Sequence, residues 1–265
     1  MAMPQLCWDI GFLKNNPTLK DENYGIPAEV KHTDYPVRLV RYWFMYHFLR
    51  EDAACKGALD VCEIGVDVGQ MLGFMNAAAG HGGEKVPLDS WDAVDALIRR
   101  DILERAGYNH FYEVDLESAE FRLDEGKQYD AMILLHVLEH LFKPEDLIAK
   151  IVPHLKPGGM LIGGFPSTPD SQAQSREDKI RPKAMKYGHV SVFSPKRVRD
   201  MAAANGLEVE FLSGAFFMRK KGFFLENYRW WLRFNLWFGA LFPGWPGEIY
   251  WILRKPEKMG RLGKA

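Results

Sequence analysis

The stretch Val61-Cys62-Glu63-Ile64-Gly65-Val66-Asp67-Val68-Gly69 runs an apolar segment into two glycines, with one acid inside the run and another between the glycines. The apolar run from Ala58 to Ile64, closing on a glycine, reads as a buried strand. Val68 to Ala79, rich in Met, Leu and Ala, reads as the helix that follows. Glycines at such a joint let the backbone turn sharply and approach a ligand closely. In open α/β sheets, ligands bind at the carboxyl ends of strands. A dinucleotide fingerprint, G-x-G-x-x-G, fails here at Asp67 and again at Gln70. A carboxylate at Asp67 would also repel a pyrophosphate. No Gly-Lys-Ser/Thr occurs, so the phosphate-binding P-loop is absent as well. The turn suits a ligand without phosphates.

Outward from this turn the chain alternates. Trp91 to Val94, His110 to Val114, Tyr129 to Leu135 and Met160 to Phe165 read as strands. Helical segments fall over Ala96 to Ala106, closed by Gly107, and over Pro144 to Leu155, stopped by Lys156-Pro157-Gly158-Gly159. Strands alternating with helices imply βαβ units and a largely parallel sheet. Ser194 to Asn205 reads as a helix with Ser194 as its N-cap before Pro195. Leu207 to Leu212, Ala215 to Arg219 and Gly247 to Pro256 are further strand candidates. Between them, the polar stretch from Ser167 to His189 reads as a long loop or lid, uncommon in compact domains unless functional or mobile.

Residues 1 to about 35 show no sustained period and read as an irregular arm. Val37 to Leu49, VRLVRYWFMYHFL, is expected to be a helix packing one face on the main domain. The expected organisation is therefore an N-terminal arm and helix over 1–50, a ligand-binding catalytic domain over 51–215, and an aromatic C-terminal extension over 216–265 packed on that domain. The composition, 47% hydrophobic and 26% charged, is that of a globular protein. A formal net charge of −1 provides no basic field, so nucleic acid is not an expected partner. Three cysteines, Cys7, Cys55 and Cys62, without a CxxC pair, argue for a reducing compartment, and no secretory signal is readable. A cytoplasmic enzyme fits, with contact to the inner face of a membrane left open.

Further landmarks follow in order. Asp95 ends the segment Trp91-Asp92-Ala93-Val94-Asp95, and Asp115 lies in Tyr112-Glu113-Val114-Asp115-Leu116. Tyr129-Asp130-Ala131-Met132-Ile133-Leu134 runs on into Val137-Leu138-Glu139-His140-Leu141. Leu155-Lys156-Pro157-Gly158-Gly159-Met160-Leu161 comes next, then His189-Val190-Ser191-Val192-Phe193-Ser194-Pro195 and Asn205-Gly206-Leu207. Glu63-x-Gly65-x-x-x-Gly69 resembles the first motif of class I S-adenosylmethionine-dependent methyltransferases, with Asp67 standing where a middle glycine is usual. The later segments resemble the same family, in particular its type 11 and type 23 groups, over roughly residues 58 to 215. The resemblance implies a doubly wound, mostly parallel, seven-stranded Rossmann-like α/β sheet with helices on both faces. It implies S-adenosylmethionine as cofactor, contacted by Glu63, Gly65, Asp67, Gly69, Asp95, Asp115, Leu116 and His136. Glu63 would help hold the cofactor's amino-acid end, Asp95 its ribose hydroxyls, and Asp115 would lie near the adenine amine. A carboxylate can accept from both hydroxyls of a diol, so the residue type at Asp95 suits that role.

His136-Val137-Leu138-Glu139-His140 also satisfies H-x-x-E-H, a zinc-peptidase signature. That chemistry needs both histidines on one helical face, whereas His136 falls at the end of an apolar strand, so no metal centre is expected. A hydroxyl acceptor benefits from a general base, most often His. His140 and His189, with His136 behind them, are the catalytic candidates. A module that binds the cofactor without catalysis is the alternative, and the substitution by Asp67 is what favours it.

Residues 222 to 251 read GFFLENYRWWLRFNLWFGALFPGWPGEIYW and hold five of the eight tryptophans. Glu226, Arg229 and Arg233 interrupt the run and Pro243 stops it, so it is not a membrane-crossing helix. Three readings remain: packing against the domain or a second subunit, an interfacial helix beside Arg219, Lys220, Lys221, Arg229 and Arg233, and a platform for a sugar or other amphipathic acceptor. The function expected overall is methyl transfer to an oxygen of a sugar or another small or lipid-linked molecule.

Overall fold

The computed structural model describes residues 3–14, 33–80, 82–185, 188–220 and 222–257. Residues 15–32 of the expected arm, Lys186 and Tyr187 of the expected loop, Lys221, and the tail 258–265 lie outside the described residues. The strands β1 (Leu59–Ile64), β2 (Leu88–Asp95), β3 (Phe111–Glu113), β4 (Tyr129–Leu135), β5 (Leu155–Ser167), β6 (Glu208–Gly214) and β7 (Gly247–Arg254) form one sheet. Their order is β3-β2-β1-β4-β5-β7-β6. Neighbours from β1 to β5 pair in parallel, and β7 runs antiparallel to both β5 and β6. This is the doubly wound, mostly parallel, Rossmann-like sheet that the sequence implied.

Strand composition follows from burial on both faces. Along β4, Ala131 and Ile133 enter one core while Met132 and Leu134 enter the other. Along β7, Tyr250 and Ile252 alternate in the same way with Ile249, Trp251 and Leu253. The first core is covered by helices α1 (Val40–Lys56), α2 (Gln70–Gly80), α3 (Arg100–Ala106) and α7 (Arg229–Leu241). The second is covered by α4 (Pro144–Ile151) and α6 (Pro195–Ala204). As expected, Ser194 caps α6, its hydroxyl accepting from the Arg197 amide at 3.3 Å.

Three features depart from the sequence reading. First, α1 is buried nearly all round, not on one face, because the N-terminal segment folds over its outer side. Trp8 stacks on His47 at 4.6 Å and meets Trp43, Phe44 and Phe48 edge-on. Second, the polar stretch after Ser167 contains helix α5 (Asp170–Ile180). It has no buried apolar face and is tied down by charge instead: Glu177 Oε2 accepts from the Val192 amide at 2.8 Å and from Arg197 Nη1 at 2.6 Å. Third, Ala215–Arg219 is not a strand, since the chain leaves the sheet after Gly214 and the Phe217 amide donates to Asn235 Oδ1 at 3.0 Å. The strand read at Gly247 to Pro256 is present as β7, in the interior of the sheet between β5 and β6. Among the described residues no helix is long and apolar enough to cross a membrane.

Candidate functional site

The sheet order reverses between β1 and β4, the topological switch point at which doubly wound sheets bind ligands. The backbone there is left-handed at Gly65 (φ +79°), Asp67 (φ +49°) and Gly69 (φ +75°) after β1, and at His136 (φ +59°) after β4. Left-handed φ costs most L-residues roughly 1–2 kcal/mol, with Asn and Asp the usual exceptions. Asp67 therefore keeps the backbone of a glycine position while adding a carboxylate.

A cleft of about 780 Å³ opens above these turns, within the usual size of small-molecule sites. Its wall includes Gly65, Asp67, Asp95, Asp115, Leu116, His136 and His140, seven of the sequence-predicted site residues. Val137, Leu141, Phe142 and Met185 add apolar surface. Asp95 Oδ2 accepts from the Asp67 amide at 3.0 Å, which pins the first turn to the end of β2. A carboxylate offers about four lone-pair sites, so this bond leaves capacity for a diol. Asp115 Oδ1 accepts from the Glu117 amide at 2.9 Å, and Glu117 Oε1 accepts in turn from the Phe142 amide at 2.7 Å.

Glu63, Gly69 and His189 are not part of that wall. Glu63 is buried behind it, its Oε2 accepting from Trp91 Nε1 at 3.0 Å and from Tyr108 Oη at 2.6 Å. Burial pushes its carboxyl up to about 7, with the two hydrogen bonds only partly offsetting the shift. A Cβ at Gly69 would lie 3.0 Å from Leu103 and Tyr108, so this glycine serves packing. His189 is exposed and meets His140 edge-on, with ring centroids 4.8 Å apart.

His136 stands apart from the other two histidines. Its Nδ1 lies 3.0 Å from Glu139 Oε1, and its Nε2 faces Glu248 Oε1 at 3.5 Å, an ion-pair distance rather than a hydrogen bond. Burial lowers its pKa, but Glu248 and Glu139 outweigh that and the net shift is upward. Glu248 is fully buried; the cost of burial is overcome chiefly by Arg41 and then by His136, and its carboxyl is held well below the usual range. Arg41 Nη2 donates to it at 2.9 Å, and Arg219 and the Tyr250 hydroxyl also donate. This charged cluster was not foreseen, because Arg41 and Glu248 are 207 residues apart and carry no local motif. It also removes the zinc-peptidase reading. His136 and His140 do not share a helical face, since His136 precedes the short 3-10 turn Leu138–His140 and both its nitrogens face carboxylates.

The sequence profile of a methyltransferase domain matches residues 40–211. The chain belongs to this methyltransferase family, and S-adenosylmethionine is its cofactor. No curated protein matches the chain. Among solved structures, the [4+2]-cyclase SpnF superposes with a TM-score of 0.54 at 14% identity, covering 94% of this chain and 95% of its own. An O-methyltransferase family protein from Burkholderia thailandensis gives 0.50 at 15% identity, covering 93% of this chain and 64% of its own. The N-methyltransferase NodS from Bradyrhizobium japonicum WM9, in complex with S-adenosyl-L-homocysteine, gives 0.49 at 17%, covering 89% and 100%. At such identities the likeness to the first two is one of fold.

Proposed function

We propose that the cleft directs the cofactor's methyl group to an oxygen atom of a sugar or another small or lipid-linked acceptor. The observation that carries this reading is one cleft with carboxylates Asp67, Asp95 and Asp115 along one side and His140, backed by His189, on the other. Bound S-adenosylmethionine supplies an electrophilic methyl group, so the protein has to align a nucleophile and accept a proton. Asp95 holds the ribose hydroxyls, Asp115 and Leu116 border the adenine, and Gly65 and Asp67 border the amino-acid end. Glu63 and Gly69 support the turn from behind. His140 and His189 stand on the acceptor side and activate the incoming oxygen, while His136, held between two carboxylates, orients that segment.

The C-terminal aromatics favour a lipid-linked acceptor. Trp230, Trp237, Phe242 and Trp245 are 58, 46, 52 and 45% exposed. These solvent-facing aromatics are gathered on one helix and its flank rather than scattered singly, as at an interaction surface. Exposed Lys220 and Arg229 flank them in the sequence, a pattern suited to an anionic membrane interface, whereas the Arg219 guanidinium is committed to Glu248. Arg233 is not part of this rim: it donates to the carbonyls of Leu6 and Trp8 at 2.9 and 2.6 Å and ties α7 to the N-terminal segment.

Calorimetric titration of S-adenosylhomocysteine, with NAD as control, tests the cofactor site. One-site binding weakened at least tenfold by Asp95→Ala, without an NAD response, supports the residue assignment; an unchanged affinity removes Asp95 from it. Cosedimentation with anionic phospholipid vesicles tests the aromatic face. The wild type should pellet and Trp230→Ser/Trp237→Ser should not.

A further inference from the structure

We propose that Glu139, His140 and His189 form a divalent-cation site at the acceptor end of the cleft. One ligand atom from each lies within 4.8 Å of those from the other two. The fold brings them together: Glu139 and His140 belong to the 3-10 turn after β4, and the main-chain carbonyl of Glu139 accepts from the Val190 and Ser191 amides at 2.8 and 3.1 Å, fastening the His189 segment beside it. The sequence reading set His136 with His140 and expected no metal; the structure puts His189 in that place.

Two further observations point to a cation. Glu139 Oε1 is engaged by His136, but Oε2 is buried with no hydrogen-bond partner. An unpaired buried carboxylate oxygen is costly, and a cation satisfies it. His140 is pre-set as a ligand: its Nδ1 lies 3.2 Å from the Gly188 carbonyl, which can only accept. Donation to that carbonyl puts a proton on Nδ1, which in the neutral ring leaves Nε2 with the lone pair that metal-binding imidazoles use. Two imidazoles and one carboxylate suit zinc, manganese, cobalt or iron in the divalent state.

Three protein ligands leave coordination positions open, the arrangement of a catalytic rather than a structural site. This inference rests on reading the cleft as a methyl-transfer site and sharpens the acceptor. A hydroxyl oxygen bound to the cation has its pKa lowered and can lose its proton to water before attack. The two histidines then act through the cation and do not take the proton themselves. Acceptors carrying a second oxygen beside the attacking one, such as a vicinal diol, chelate best.

The test uses chelator-treated full-length protein titrated with cobalt(II), read by its visible absorption, with S-adenosylhomocysteine titrated calorimetrically into the same preparation. One equivalent of cobalt should bind, with His189→Ala and Glu139→Gln each weakening it at least tenfold. His189 is exposed, so its replacement leaves the fold intact, and S-adenosylhomocysteine affinity should stay within twofold. Absence of saturable cobalt binding, or binding unaffected by His189→Ala, overturns the cation site. If S-adenosylhomocysteine still binds in that case, the methyl-transfer reading stands without a metal. If it too fails to bind folded protein, the parent reading falls.

Discussion

A Cβ built on Gly65 would stand 2.4 Å from Cγ2 of Val137, so the turn after β1 is closed by the residue that follows His136. Valine is stiff at χ1 and cannot easily swing aside. Gly65→Ala would also place a side chain at φ +79°. The backbone and overpacking terms together cost about 2–5 kcal/mol. A drop in melting temperature and at least a tenfold loss of S-adenosylhomocysteine affinity are expected, read by thermal unfolding and calorimetry. An unchanged melting temperature would show that the two strand ends are not in contact.

Glu63 makes a distinct prediction about pH. Its carboxyl is raised from 4.5 to about 7 by burial, against the opposing hydrogen bonds from Tyr108 and Trp91. The folded protein thus retains a proton that the unfolded chain releases. The associated stabilisation is complete below about pH 4.5 and is lost as pH rises through about 7. Across that window the wild type should lose stability relative to Glu63→Gln by about 3 kcal/mol. Glu226, also raised to about 7 by burial, titrates alike in both proteins and cancels in the difference. Denaturant melts of the pair at several pH values check this; parallel curves would mean that Glu63 is charged in the fold.

Much of the fold was legible because its signals are local. Tyr129 to Leu135 is, apart from Asp130, apolar on both faces, the clearest mark of a covered strand in the chain. Gly65 and Gly69 announced the turn, and Ser194-Pro195 announced α6. What escaped depends on distant partners. Helix α5 has no apolar period, so nothing in its own residues reveals that Glu177 is anchored to Arg197 and Val192. Glu63 was readable as an acid at the end of β1, but not its enclosure by Trp91 and Tyr108, which come from segments after it. Likewise the H-x-x-E-H spelling suggested pairing His136 with His140, whereas His136 faces Glu139 and Glu248, and the Glu139 carbonyl holds the segment that brings His189 to His140.

Gly239 in α7 approaches the backbone of Gly214 at the end of β6 so closely that a Cβ would lie 2.3 Å from the Gly214 carbonyl carbon and 2.4 Å from the Ala215 nitrogen. Two opposing effects meet at this site. Alanine favours the helix by about 1 kcal/mol over glycine. Displacing backbone costs about 1–3 kcal/mol or more, since these atoms cannot rotate away. Gly239→Ala is therefore expected to lower the melting temperature despite its higher helix propensity. Neither glycine lines the cleft, so S-adenosylhomocysteine affinity should change by less than about twofold, a separation that calorimetry on the same variant reads directly.

The buried charges around Glu248 give the strongest stability test. Glu248 is inaccessible and Arg41 is only 12% exposed, so each neutralises a partner largely shut off from water. Removing one member of such a pair costs about 3–5 kcal/mol, because the other charge is left uncompensated, whereas replacing both with apolar residues is often close to neutral. Glu248→Leu should therefore destabilise strongly, and Arg41→Met/Glu248→Leu should recover at least half of that loss. Arg219 and His136 also face Glu248, which keeps the recovery incomplete. Adding His136→Phe to the double variant should lower stability again, since it strips the buried Glu139 carboxylate of its His136 partner and places a bulky side chain at φ +59°. Urea melts of the single, double and triple variants measure the couplings as a cycle. Strict additivity among the three substitutions would mean that these residues do not act as one buried network.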